Sequence, residues 1–356
     1  MNSIAENTLY IYLIVFLSML VFDLVSILYR KVSNKNIEFL VQKLEDQIGS
    51  KKPDDISSKD MKKLAKNLKK IGYFIAFTNV VDKMPDDKRE KYLTKIKSVF
   101  TVILPHYQKE EVIRQTYFIH FLAQYPYLYE KNMDQVLSYI MQCTTEESVY
   151  LRENALNTLY SIGNVSHIKE VFFQMNYLNI KHHHKLITDG LMKYKGDTKE
   201  LADMFIEELK NYDENYKVAC INYFGYKKID CKEYIYKILT SKIEYKEVKL
   251  ACIRYFSNVH YEPVIDTLYE LLADDKNNWE YSAIAATTLK KYPGKKTMDA
   301  LNNAVRSHNW YVRINAAASL LELTEEEKRK DLIGSMDDRY AQEALSYQLY
   351  LLGGEA

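Results

Sequence analysis

Glycine and proline are scarce in this chain, ten and six among 356 residues, where ordinary usage is about 7% and 5%. Strand-and-turn folds need many more of both, so the scarcity excludes a sandwich or barrel and favours long helices. An excess of one charge is missing too. Lys and Arg number 49 against 48 Asp and Glu, so there is no overall field to collect nucleic acid. The four cysteines are Cys143, Cys220, Cys231 and Cys252, and no two make a Cys-x-x-Cys pair. No Gly-rich phosphate loop, Gly-x-Ser-x-Gly turn or other catalytic signature occurs. No Lys or Arg precedes Arg30.

Long apolar runs are not missing. Residues 9–29 carry a single charge, Asp23, and would reach roughly 30 Å as a helix, the thickness of a bilayer core. Tyr10, Tyr12 and Tyr29 lie near the ends, where amphipathic rings favour the interface. A cleaved signal peptide would want a basic start and a small-residue cleavage site, and neither is present. The run therefore reads as one transmembrane helix. Arg30, Lys31 and Lys35 follow it at once, and positive charge is retained on the cytoplasmic side. The expectation is a single-pass cell-membrane protein with residues 1–8 outside and the remainder cytoplasmic. Asp23 either sits near the inner interface, partly wet, or makes a polar contact with another transmembrane helix. A reducing cytoplasm would leave all four cysteines unpaired.

Residues 30–58 are expected to hold a juxtamembrane amphipathic helix over 36–48, then a polar linker over 49–58. The following helix is sorted by charge. Lys59, Lys62, Lys63, Lys66, Lys69 and Lys70 take one face, and Met61, Leu64, Ala65, Leu68, Ile71 and Ile75 the other. The basic face is either a solvated surface or a contact with the anionic inner leaflet. Further helices are expected at 86–103, 109–124 and 131–142, punctuated by Pro85, Pro105 and Pro126. The 31 tyrosines read in part as coding bias.

The most informative feature is a repeat. KVACINYF at 217–224 and KLACIRYF at 249–256 agree at six of eight positions, 32 residues apart. The same register places a basic or small polar residue at Arg114, Arg152, Lys185, Lys217, Lys249, Ser282 and Arg313. Three positions on comes a mostly small residue: Ala155, Thr188, Cys220, Cys252, Ala285 and Ala316. Seven on comes a bulky one: Phe121, Leu159, Met192, Phe224, Phe256, Leu289 and Leu320. Offsets of three and seven share one helix face. Second helices are expected at 168–176, 199–210, 232–241, 263–273 and 296–306. Each helix–turn–helix unit of about 32 residues cannot bury its apolar face alone, so the units must stack. The segment from His184 to Met192 departs from the pattern, with His184, Asp189 and Gly190 where apolar or small residues are usual.

NWYVRINAAASL at 309–320 and ESVYLRENALNTL at 147–159 closely resemble the first helix of a HEAT repeat, in the short form also seen in phycobilin lyase-like proteins. The resemblance covers roughly 109–353. It implies an all-α solenoid of HEAT-like hairpins, here preceded by the transmembrane helix. Residues 59–143 would form its N-terminal part and 144–356 its clear repeats. The family serves many unrelated roles. One enzymatic branch binds two irons through His-Glu dipeptides, which do not occur here, and nothing singles out a tetrapyrrole pocket. His182, His183 and His184 are consecutive, and neighbouring helical residues point about 100° apart, so they are poorly placed to share an ion.

The reading that follows is a membrane-anchored cytoplasmic adaptor, binding a protein partner and the bilayer but no nucleic acid, and using no metal or cofactor. An envelope or polysaccharide-synthesis complex would suit it. The alternative is a HEAT-fold enzyme or lyase-like cofactor-binding protein. Candidate partner contacts are the ridge of Trp279, Tyr281, Trp310 and Tyr311, together with Asp266, Glu270, Asn302 and Arg306 on the second helices. The sequence leaves the oligomeric state open.

Overall fold

Every regular element of the computed structural model is helical among the described residues, which are 2–49, 52–130, 132–242, 245–276 and 278–353. The chain divides into two compact units, 1–162 and 163–356.

The first unit contains α1 (Asn2–Gly49), α2 (Ser58–Leu68), α3 (Ile71–Asp82), α4 (Asp86–Ile96), α5 (Ser98–Tyr107), α6 (Val112–Ala123), α7 (Asp134–Cys143) and α8 (Val149–Ile162). Its core is aromatic. The ring of Phe74 meets those of Phe77, Tyr107, Tyr117, Phe118 and Phe121, and Tyr107 stacks on Phe118 with centroids 4.8 Å apart. The end of α1 closes one side against α3. There Val41, Leu44 and Ile48 are buried, with Ile37 and Leu40 half-buried, as the amphipathic spacing of 36–48 requires.

The membrane anchor is not found. Among the described residues no helix is long and apolar enough to cross a membrane. The described apolar side chains of α1, at 10–25, are all exposed. Helix α1 also does not stop after 29. It continues unbroken to Gly49, joining the expected span to the expected juxtamembrane helix in one 48-residue element. With the span go its consequences: the single-pass topology, the outside N-terminus and cytoplasmic C-terminal part, the bilayer as a partner, the transmembrane contact of Asp23, and the place in an envelope complex.

Two long helices expected in this unit are broken. Helix α2 ends at Leu68, where Lys70 turns extended, and carbonyls at this end are satisfied from outside. The Tyr107 hydroxyl donates to Leu68 O at 2.7 Å, and His106 Nε2 lies 2.9 Å from Lys69 O. The stretch 86–103 is divided between α4 and α5, and Pro105 falls inside α5 rather than at its end.

The second unit comprises α9 (Val165–Tyr177), α10 (His184–Leu191), α11 (Thr198–Glu208), α12 (Glu214–Lys227), α13 (Lys232–Thr240), α14 (Lys246–Phe256), α15 (Ile265–Ala273), α16 (Trp279–Leu289), α17 (Lys295–Ala304), α18 (Trp310–Leu323), α19 (Arg329–Gly334) and α20 (Arg339–Leu351). Side chains start these helices where the sequence offers an acceptor. Asp197, Asp213, Asn309 and Asp338 each accept backbone N–H bonds at an N-terminus, satisfying donors the helix cannot pair. The first helices form one series, α10, α12, α14, α16, α18 and α20, each packed on the next. The second helices α13, α15, α17 and α19 pack against the first helix that follows. This is a helical-hairpin arrangement consistent with a solenoid.

The repeat register reads out as burial. Thr188, Cys220, Cys252, Ala285 and Ala316 are buried, as are Phe224, Phe256, Leu289 and Leu320. One member fails. Met192 is 37% exposed, and Leu191 is buried in its place. Helix α10 has only 8 residues, and Met192 lies just past its end, so the face turns one residue early. Gly163 and Gly196 meet near here. A Cβ on Gly163, whose φ is +72°, would come 2.5 Å from Gly196 N, so neither position has room for a side chain.

Tyrosine hydroxyls tie successive hairpins together. Tyr194 donates to Gly163 O at 2.9 Å, Tyr255 to Ile229 O at 2.7 Å and Tyr292 to Phe256 O at 3.0 Å. Burial raises the pKa of all three hydroxyls, to about 12 for Tyr194 and Tyr292, so they remain donors across the neutral range. The tyrosine content thus has a structural use that coding bias does not supply.

The four thiols are free, with Cys231 half-buried and the others buried. Burial pushes Cys143 up to about 12 and Cys231 to about 11, which suppresses the reactive thiolate. Ellman's reagent at pH 8 should find the native protein nearly inert, with Cys231 reacting first and all four titrating in denaturant. Rapid modification of Cys220 or Cys252 would contradict the packing described. The register itself is tested by a pair of variants. Leu191→Asp should lower the melting temperature by roughly 6–12 °C, the effect of about 3 kcal/mol from an unpaired buried charge, whereas Met192→Asp should change it by less than about 2 °C. Equal effects would place the face elsewhere.

Candidate protein-binding surfaces

The first helices of the last repeats begin with large aromatic side chains, and the structure gathers several of them. Trp279 opens α16 and is half-buried, while Trp310 and Tyr311 open α18 and are each 54% exposed. The Trp279 indole stacks on the Tyr311 ring of the next repeat, with centroids 5.1 Å apart and planes 20° from parallel. Trp310 meets the other side of the cluster edge-on, 5.1 Å from Tyr311. Asn309 sets this geometry. Its Oδ1 accepts from Tyr311 N at 2.9 Å and Val312 N at 3.3 Å, fixing the first turn of α18 and the direction in which both rings leave it.

Two further aromatics were not singled out from the sequence. Tyr340, at the start of α20, is 61% exposed, and the Arg313 guanidinium of α18 lies over its ring at 5.3 Å. Tyr245 precedes α14 and is also exposed. Extending the register past 320 would have shown Tyr340, but the short α19 breaks the regular spacing. Tyr281, expected in the ridge, is half-buried and makes no described ring contact with Trp279, Trp310 or Tyr311. Its neighbour Glu280 pairs with Lys246 of α14 at 2.5 Å.

The polar candidates on the second helices are largely engaged within the chain. Asp266 holds Lys296 at 2.8 Å, and the same ammonium lies 4.4 Å from the Tyr269 ring centroid. Arg306 donates to Asn302 O at 2.6 Å and pairs with Asp337 at 3.1 Å. These groups link one hairpin to the next. Glu270 is exposed. Asn302 Oδ1 is buried without a hydrogen-bond partner among the described residues. Asp266, Glu270 and Asn302 lie on the second helices and Arg306 just past the end of α17, whereas the aromatic group stands at the starts of the first.

The three consecutive histidines diverge. His182 is buried, and His183 Nδ1 accepts from Lys185 N at 3.2 Å as the cap of α10. His184 is half-buried beside it, with ring centroids 4.2 Å apart. Burial holds His184 below the usual histidine range. Among the described residues no group of three or more His, Cys, Asp or Glu side chains could hold a metal ion.

In the first unit, Lys59, Lys62, Lys63, Lys66, Lys69 and Lys70 are all exposed, with Ala65 and Leu68 buried on the opposite side of α2. Comparison with known protein families and with curated proteins finds no match.

The aromatic geometry predicts distinct fluorescence from the two tryptophans. A Trp310→Phe variant, reporting Trp279 alone, should emit to the blue of a Trp279→Phe variant reporting Trp310. Adding Tyr311→Ala to the former should shift its emission to the red. An unchanged spectrum would show that the stack is absent in solution.

Proposed function

We propose that this chain is a protein-binding helical-repeat protein. Its principal docking surface is the aromatic edge made by Trp279, Trp310, Tyr311 and Tyr340, and it acts by binding rather than by catalysis. One observation carries the reading: the exposure of Trp310, Tyr311 and Tyr340, at 54%, 54% and 61%, on consecutive first helices. Each of these rings touches a neighbouring residue yet leaves more than half of its surface open to a partner. Large aromatic side chains supply contact area at low entropic cost and concentrate binding energy. Burying one fully is worth about 1.5–3 kcal/mol. Arg313 beside Tyr340 adds a planar donor at the same edge, and Arg is the other residue type enriched among binding anchors. The polar candidates on the second helices are secondary in this reading, because Asp266 and Arg306 already serve neighbouring hairpins.

Site-directed photocrosslinking in the native cell tests the proposal. A benzoylphenylalanine at position 310 should give one discrete protein adduct, and the same group at the exposed position 177 should not. The Trp310→Ala/Tyr340→Ala variant should recover that partner at least about tenfold less well, with a melting temperature within about 2 °C of the parent. No adduct at 310, or the same adducts at both positions, would overturn the assignment.

A further inference from the structure

The basic face of α2 adjoins a cavity with one apolar wall, and helix stability does not account for all of its charge. Lys59, Lys62, Lys63 and Lys66 fall within about 100° of arc on an element about 16 Å long. Lys69 and Lys70 follow at the junction with α3. Cations in the last turn suit the negative end of a helix dipole, but in the first turn they oppose its positive end. Lys66, Lys69 and Lys70 are thus explained locally, while Lys59, Lys62 and Lys63 are not. Among the described residues none of the six lysines forms an ion pair. The nearest carboxylate, Asp60, is engaged in the capping box with Ser57, receiving the Ser57 N–H at 3.0 Å and its hydroxyl at 2.7 Å. Asp54 and Asp55 precede the helix and are exposed.

On the shoulder of this face opens a cavity of about 280 Å³ with a mixed lining. Ile48, Ile56, Met61, Leu64 and Ile96 supply the apolar part of its wall, and Gln47, Asp60, Lys63 and Asn67 the polar part, with Asp60 held by Ser57. Helix α2 is held firmly at its far end by the Tyr107 and His106 contacts to Leu68 O and Lys69 O, so cavity and charge keep a fixed relation.

We infer that this surface binds an acidic protein segment carrying an apolar anchor, with the anchor in the cavity and its flanking carboxylates on the lysine face. Charge complementarity names the flanks, since lysines that form no ion pair among the described residues and share one helix face call for carboxylates. The cavity names the centre, because a polyanion recognised by charge alone would have no use for a recess of side-chain size with an apolar wall. Nucleic acid would meet only this local patch on a chain of net charge +1. The site lies in the first unit and does not depend on the aromatic edge, which belongs to the second.

Fluorescence anisotropy on the full chain tests it. The probe is a fluorescein-labelled synthetic peptide with a Leu-Phe pair between two runs of four glutamates. Binding is expected at 0.1 M salt and should weaken steeply as salt screens the charges. Replacing Leu-Phe by Ser-Ser in the peptide, which leaves the protein untouched, should cost about tenfold in affinity. The Lys62→Glu/Lys66→Glu variant, helical by circular dichroism, should lose at least as much. No binding of the probe, equal binding of the Ser-Ser peptide, an unaffected charge-reversal variant, or equal competition by single-stranded DNA or anionic vesicles would each overturn the inference.

Discussion

The rest of the second unit depends on how closely one first helix can approach the next. The approach is close: a Cβ on Gly225 of α12 would lie 3.4 Å from the Tyr255 Cα of α14, and the small residues three positions after the register residue, Thr188, Cys220, Cys252, Ala285 and Ala316, are all buried. A side chain of this size lets two backbones come near, and the larger residue four positions on fills the space that opens beside the contact. A longer side chain at the small position would have to push the helices apart or leave its rotamer, at a typical cost of 1–3 kcal/mol. Buried threonines are satisfied between neighbouring first helices. Thr188 Oγ1 donates to Ala219 O at 3.3 Å, and Thr288, outside the small-residue set, donates to Ile253 O.

Tyrosine adds direction to this apolar contact. Hydrophobic burial alone fixes distance but leaves neighbouring hairpins able to slide. A buried hydroxyl that must find a carbonyl stops the sliding, because an unpaired polar group in the interior costs about 1–3 kcal/mol. The bonds from Tyr194, Tyr255 and Tyr292 reach back 31, 26 and 36 residues, about one repeat. In the first unit Tyr107 reaches back 39 residues to Leu68 and satisfies the carbonyl at the end of α2. Since packing consumes the flanks of the first helices, their starts are left to the solvent, and the aromatic edge stands there.

Much of the repeat was legible in the sequence because its signal is periodic and local. The positions of Cys220, Cys252, Ala285 and Ala316, and the second helices near 199–210 and 232–241, follow from spacing alone. Failures came where a distant group decides the outcome. The break after Leu68 is capped by Tyr107 and His106, which no local pattern names. The early turn at Leu191 reflects the shortness of α10, visible in advance only as an irregular His184, Asp189 and Gly190. The apolar run at 9–29 was read as a self-contained span, whereas the helix takes in the amphipathic 36–48 without a stop. Of the candidate surface, the tryptophans were legible from their repeat position. The engagement of Asp266 by Lys296 and Arg306 by Asp337 was not, since each pair joins residues about 30 apart on neighbouring hairpins.

If the first-helix contacts are the spine of the second unit, amide protection should follow them. Hydrogen exchange with mass-spectrometric readout measures this directly, since local opening free energy tracks packing. Peptides from α12, α14, α16 and α18 should exchange slowest and as a group, with those from α13, α15 and α17 clearly faster. Second helices protected as well as or better than the first would contradict the account.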